Sequence, residues 1–415
     1  MSDDSTAIAE PQLLKIDVTV EETSTCQRKV KVSVPREEID RYYEEAVGDL
    51  MPTALLPGFR PGRAPRKLVG SKFKTELNDI NILEVGFGTG LNCLLSLSYD
   101  EGVTWSKPKR LDSLRRFKQD DGYEVSAGDF WPSYHKKSGK VIATGKTFNF
   151  EKGTNENIRR EKVSYAVMDP KNGEWGKLRF LEMPEKDYAG NIITAANAGN
   201  TQRVDLPNGD ILLPVRYMAD SKKVNYTSIV ALCRFDGEKL VYLKHGTEHS
   251  IPRDRGLYEP SLIEHKGEYF LTLRADHSGF VTKGIDGLSF EKIREWTFDD
   301  GKPLESYNTQ QHWISAGGSL FLIYTRRARD NNHIFRHRAP LFIAEVDPER
   351  LCVIRSTEKV LLAENEATLG NSGVCQLSAN EWLVTCGEGL LRMGKRKNEI
   401  NKVLFAKVRV INKPK

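Results

Sequence analysis

Two arginines close equivalent stretches of this chain: Arg216 ends "NGDILLPVR" (208–216) and Arg274 ends "KGEYFLTLR" (266–274). Arginine grips a carboxylate through two parallel N–H donors, so two guanidiniums brought to one face would suit an acidic ligand. The plain alternative is two surface arginines that cap unrelated strands. A second candidate lies in "LLPGFRPGRAPRKLV", where Phe59 stands among Arg60, Arg63, Arg66 and Lys67. A loop that shows an aromatic ring and four cations to solvent suits a phosphate-rich partner, and an ordinary solvated basic loop reads the same way. A third is "ILEVGFGTGLN". An apolar strand ends in Glu84, and Gly86, Gly88 and Gly90 follow. Glycines there allow a tight turn and close approach of the backbone to a ligand.

The elements that must position these residues are mostly strands. The stretches "SGKVIATGK" (138–146), "GGSLFLIYT" (317–325) and "ANEWLVTCG" (379–387) align with the two that end in Arg216 and Arg274. Each opens on a small turn pair and runs on through apolar, strand-forming residues. Their spacing fits one four-stranded blade with long loops, and helical periodicity is nearly absent. The expected fold class is therefore mainly β, a propeller of five to six blades behind a small truncated α+β segment. In that segment "LLKIDVTV" and "RKVKVSV" read as strands. A helix opens near Pro35, with Ile39, Tyr42, Tyr43, Ala46, Val47 and Leu50 on its apolar face. After the glycine loop, "LNCLLSL" reads as the start of a short helix. "SYDEGVTW" then reads as a tight turn in which Ser98, Asp100 and Thr104 bond backbone, Gly102 takes the awkward dihedral and Trp105 packs between sheets. The expected domains are 1–76, 77–97 and 98–415, with a join near Leu97–Ser98.

Composition narrows the function classes. The 415 residues carry 62 basic and 57 acidic side chains, a net charge of +5 that does not by itself argue for nucleic acid. Six scattered cysteines with no CxxC pair argue against a zinc site or a dense disulfide framework. No apolar run reaches the roughly 18 residues of a membrane span, so no membrane partner is expected. "MSDDSTAIAE" lacks a basic region and an apolar core, so the expected location is cytoplasmic.

Three resemblances sharpen these readings. "GFRPGRAP", with "VSVPREEIDRYYEEAV" before it, resembles the ribosome-docking part of bacterial trigger factor over about residues 12–75. That implies ribosome contact through Phe59, Arg60 and Arg63. "ILEVGFGTGLN" resembles motif I of S-adenosylmethionine-dependent methyltransferases, which implies cofactor contact at Glu84, Gly86, Gly88 and Gly90. A working site of that kind needs a crossover helix and a second strand bearing an acid. Neither follows here, so a remnant without a cofactor is expected.

The third resemblance covers about residues 95–412. "SYDEGVTW" fits the Asp box of sialidase-like propellers, with "GIDGLSF" and "DPKNGEW" as weaker forms. "YEPSLIEHKGEYFLTLR" resembles the sialidase segment in which Glu-Pro precedes a strand ending in an active-site arginine. The resemblance implies that Glu259 polarises a tyrosine nucleophile and that Arg274 holds the sugar carboxylate. Arg216 joins Arg274 by repeat phase, and Arg338 and Arg336 are candidates for a third cation. Asp129 in "AGDFWPSYH" is the candidate acid, its pKa raised by burial among aromatics. Tyr324 and Tyr307 are both candidates for the nucleophile. His312 and His277 are candidates for substrate contact, although a lone histidine is more often structural. The family's Arg-Ile-Pro motif is not found before the first Asp box, so an incomplete catalytic set or a substrate other than a sialic acid is expected. The implied function is hydrolysis of a terminal glycosidic bond in a glycan, with no cofactor; propeller relatives are expected to be exported. The alternatives are a non-catalytic carbohydrate-binding propeller, a ribosome-associated chaperone and a methyltransferase.

Overall fold

The computed structural model describes residues 17–24, 27–33, 37, 60, 63, 81–84, 93–98, 102, 104–154, 157–219, 224–389 and 402–410. The chain forms two compact units, Met1–Asp79 and Ile80–Lys415. In the first, Asp17–Ser24 pairs antiparallel with Gln27–Ser33. These are the two β-branched runs expected as strands. Arg60 and Arg63 are exposed, and the Arg63 N–H donates to the Arg60 carbonyl at 3.0 Å. Phe59, and the expected helix apart from residue 37, lie outside the described residues.

The second unit is mainly β. Five antiparallel sheets follow one another along the chain as the blades of a propeller. Each has a leading pair of neighbouring strands: Glu124–His135 with Lys140–Phe150, Ala195–Asn197 with Asp210–Met218, Tyr258–His265 with Glu268–Arg274, His312–Ala316 with Ser319–Tyr324, and Thr368–Gln376 with Glu381–Gly389. The five aligned stretches of sequence are thus the second strands. In four blades the turn before that strand places a glycine in the left-handed region: Gly139, Gly209, Gly267 and Gly318. Such a turn matches the twist of the two strands it joins.

Apolar faces pack blade against blade. Trp296 and Trp313 are buried together with ring centroids 5.6 Å apart. The Trp313 indole N–H donates to the Ser261 carbonyl at 2.9 Å, and that of Trp382 to the Ser315 carbonyl at 3.1 Å. These bonds stitch the third blade to the fourth and the fourth to the fifth. Gln202 reaches across from the second blade and bonds both backbone groups of Trp313, at 3.1 and 2.8 Å.

A small sixth sheet corrects one expectation. Leu94–Ser98 is a strand, not the start of a helix, and pairs antiparallel with Asn81–Glu84 and with Lys109–Arg110. The chain therefore doubles back after Glu84 instead of crossing over through a helix. The run is too short to nucleate a helix alone, and Leu95 is buried in one apolar cluster with Ala127, Val141 and Ala143 of the first blade. The strand also runs through the expected join at Leu97–Ser98. In the turn beyond it, the Gly102 N–H donates to Ser98 Oγ at 2.7 Å, and the Trp105 indole donates to the Gly102 carbonyl at 3.0 Å. Gly102 has φ +86, and a Cβ there would meet Leu383 at 3.2 Å; the Trp105 ring lies 6.1 Å from Phe405. The small sheet thus touches both the first and the fifth blade.

Candidate functional site

The first strand of the leading pair carries a β-bulge in three blades. The register shifts between Gly128 and Trp131, between Tyr258 and Ser261, and between Leu369 and Ser372. A bulge re-aims the side chains it contains. The residues inside these three include Asp129, Glu259 and Asn371. Asp129 and Glu259 have φ of 51° and 45°, and Asn200, Asn308, Arg336 and His337 nearby are also left-handed. Each such non-glycine conformation costs about 1–3 kcal/mol, and strain of this kind gathers at functional sites.

Glu259 is the centre of the cluster. Its Oε2 accepts a short hydrogen bond from Arg274 Nη1, and Arg274 is buried. Burial would raise the carboxyl pKa. The charges of Arg274 and Arg216, the Arg274 hydrogen bond and the charge of Arg338 outweigh burial and hold it down to about 2. Arg216 is also buried; it stacks on the Tyr226 ring at 4.2 Å and pairs with Glu161 at 3.8 Å. Arg338 donates to the Asn308 carbonyl at 3.2 Å. Burial, reinforced by the charge of Arg274, pulls its guanidinium down to about 10. Arg336 reaches Asn308 Oδ1 at 3.5 Å. The structure thus brings together Glu259, Arg274, Arg216, Arg338 and Arg336.

Repeat phase explains part of this convergence and exposes a residue that sequence reasoning passed over. Lys146 ends the first aligned stretch as Arg216 and Arg274 end the next two. Each of the three cations meets an acid: Lys146 with Asp129 at 2.7 Å, Arg216 with Glu161, and Arg274 with Glu259. Asp129 also accepts from Asn371 Nδ2 at 3.1 Å, and its carbonyl accepts from the Asn200 N–H at 2.8 Å. Asp129 therefore lies at the cluster's end of the strands, but as the ion-pair partner of Lys146 and not as a carboxyl isolated among aromatics.

Two further residues were missed because they lie outside the repeat. Arg255 forks onto Asp276, with Nε 3.0 Å from each carboxylate oxygen, and Tyr258 donates to the same carboxylate at 2.7 Å. Asn308 accepts from Arg274 and Arg255. No repeat marks these positions; the one available signal is that Arg255 lies four residues before Glu259.

The structure gives the remaining candidates other partners. Tyr324 is buried, and its hydroxyl donates to Glu358 at 2.5 Å, which Arg326 also holds at 2.7 and 2.9 Å. Tyr324 precedes by one residue the position equivalent to Arg216 and Arg274. A one-residue step turns a strand side chain to the opposite face, where Val215 and Leu273 are buried in the second and third blades. Burial pushes its phenol well above the usual range. The hydroxyl of the other candidate, Tyr307, meets His337 Nδ1 at 2.5 Å. His312 is fully buried, bonded to Ser261 Oγ at 2.9 Å, with its ring centroid 4.6 Å from that of Trp131 in an edge-on arrangement. Burial pulls it down to about 3, so it is a neutral core residue. His277 is exposed and pairs with Asp254 at 3.2 Å. The glycine loop is not followed by a crossover helix; Gly86, Gly88 and Gly90 lie outside the described residues.

Among the described residues, no group of three or more His, Cys, Asp or Glu is arranged to hold a metal, and no helix is long and apolar enough to cross a membrane.

Residues 16–85 match the family described as bacterial trigger factor protein. The trigger factor of Rhodopirellula baltica is 54% identical over 54 residues, which cover 13% of this chain and 11% of that protein. That of Mycobacteroides abscessus is 33% identical over 110 residues, covering 26% and 21%. The chain thus spans a small part of the curated relatives it matches.

Among solved structures, a protein of unknown function from Dyadobacter fermentans aligns with TM-score 0.55 and 14% identity, over 77% of this chain and 84% of that one. The Hadza microbial sialidase Hz136 aligns with TM-score 0.51 and 12% identity, over 77% and 59%. A Trypanosoma rangeli sialidase in complex with sialic acid aligns with TM-score 0.51 and 14% identity, over 78% and 50%. The chain spans about half the length of these sialidases. It therefore joins an N-terminal segment that matches the trigger factor family model to a propeller of the sialidase-like fold.

Proposed function

We propose that the propeller unit recognises a carboxylate-bearing sugar at the end of a glycan. The observation that carries this reading is the convergence of Arg216, Arg274 and Arg338 around Glu259. The guanidiniums of Arg216, Arg255, Arg274 and Arg338 gather with the carboxylates of Glu161, Glu259 and Asp276. Guanidinium pairs match the planar geometry of a carboxylate. The likeness in fold to the sialidase bound to sialic acid supports the same ligand class.

Hydrolysis of the glycosidic bond is the second reading. It is favoured by Asp129 and Glu259, two carboxylates set in bulges that follow the residues paired with Lys146 and Arg274. Against it, the hydrogen-bond partner of Glu259 among the described residues is Arg274, where a retaining sialidase would need a tyrosine. Release of fluorophore from an aryl sialoside separates the two. Turnover abolished by Glu259→Gln establishes the hydrolase. Saturable sugar binding without turnover establishes recognition alone, and absence of both turnover and binding removes both readings.

For residues 16–85 the corresponding proposal is ribosome contact, supported by the family match and the exposed Arg60 and Arg63. Co-sedimentation with ribosomes that is lost on changing both arginines to alanine would sustain it. No co-sedimentation of the unaltered chain would dismiss it.

A further inference from the structure

We infer that Asn308 is the positioning residue that orders the arginine cluster without neutralising it. This rests on the reading of the cluster as an anion site. The side-chain carbonyl of Asn308 accepts from Arg274 Nη2 at 2.8 Å and from Arg255 Nη2 at 2.9 Å. The Tyr258 hydroxyl approaches it at 3.3 Å and Arg336 Nη1 at 3.5 Å. The backbone carbonyl of Asn308 accepts from Arg338 Nη2 at 3.2 Å, and its N–H donates to the Ala275 carbonyl at 2.8 Å. One residue thus touches four arginines, and it is tied to the backbone directly beyond Arg274.

The chemistry of the acceptor matters as much as its place. An amide oxygen has two lone-pair directions and no net charge. Two donors lie at ordinary hydrogen-bond distance and two lie longer, so the oxygen is shared beyond its capacity. A carboxylate of the same shape would satisfy these donors better and would add a counter-charge. With asparagine, the guanidiniums are held in place and no further counter-charge joins Glu259 and Asp276 beside the incoming anion. Asn308 has φ 49°, a conformation that aspartate adopts about as readily as asparagine. Asn308→Asp is therefore expected to fold.

The test uses the full chain, with acetate as the probe, so that it does not depend on the sugar. Thermal unfolding is followed while acetate is titrated at constant ionic strength with chloride, for the unaltered protein, Asn308→Asp and Asn308→Ala. The expected result is an acetate-dependent rise in Tm for the unaltered protein. Asn308→Asp should keep or raise the Tm without acetate and weaken the apparent acetate affinity by at least about tenfold, a modest effect for one charge added a few ångströms from the anion. Asn308→Ala should lower the Tm and weaken acetate binding less than the aspartate does. A purely structural role would lower the Tm in both variants and leave the acetate response alone. An acetate response unchanged in Asn308→Asp overturns the inference, and so does an unaltered protein with no response. A protein that responds to acetate but binds no acidic sugar sustains the role of Asn308 and fails the sugar reading instead.

Discussion

Tyr324 and Arg274 differ by one step in repeat phase, and that step separates a core residue from a site residue. The Tyr324 hydroxyl is committed to Glu358 behind the sheet. Tyr324→Phe is therefore expected to cost about 1–2 kcal/mol of stability, the usual price of a buried hydrogen bond lost from one side, and to leave ligand affinity unchanged. Urea unfolding and a binding isotherm on the same sample check both halves. Arg274→Met should behave oppositely. It leaves Glu259 without its nearest cation and should destabilise by about 3 kcal/mol or more, as broken buried pairs do, while ligand binding is lost. At this scale the sequence was informative where phase or a motif marked a residue: Arg216, Arg274 and Glu259. It was silent on Asn308 and Arg255, which lie in loops whose path is set by tertiary packing. Lys146 is legible in the same way, since it ends the first aligned stretch as the arginines end theirs.

The bulges and close backbone approaches form the next scale. Gly256 has φ +74, and a Cβ there would lie 2.3 Å from the Tyr226 carbonyl oxygen. Its N–H donates to the Arg253 carbonyl, and Leu257 donates to the Tyr226 carbonyl at 2.9 Å. This contact fixes the segment carrying Arg255, Tyr258 and Glu259 against Tyr226, on whose ring Arg216 stacks. Gly256→Ala is expected to cost about 2–3 kcal/mol, at the upper end for point changes, and to weaken ligand binding although residue 256 bears no ligand group. Thermal unfolding paired with calorimetry tests this. The hairpin turns at this scale were readable from small residues before apolar runs. The bulges were not, because Gly128–Trp131 and Tyr258–Ser261 carry no local signal beyond ordinary strand composition. The strand at Leu94–Ser98 misled for a known reason: a short leucine-rich run fits helix and strand alike until its partners are known.

Across the whole molecule, burial of titratable groups makes the propeller acid-sensitive. Burial pulls His249 from 6.5 to about 4 and His312 from 6.5 to about 3. Below pH 6.5 the unfolded chain takes up protons that the folded chain refuses, so stability falls as pH drops toward 4 and 3. Glu259 adds to this at lower pH. Its carboxyl is held at about 2 against 4.5 unperturbed, so its contribution is complete above 4.5 and lost as pH falls toward 2. Tm should decline steadily from pH 6.5 downward, and His312→Gln should reduce the slope between pH 6.5 and 4. A Tm that is flat over that range would contradict the neutral burial of both histidines.

The central claim is that the arginine cluster grips a sugar carboxylate, and calorimetry with one pair of ligands tests it most directly. Sialic acid and its methyl ester share the ring and differ in the charge at the carboxyl group. Saturable binding of the acid, at least about tenfold weaker with the ester and abolished by Arg274→Met, is the predicted result. Equal binding of acid and ester, or binding of the acid that survives Arg274→Met unchanged, would contradict it.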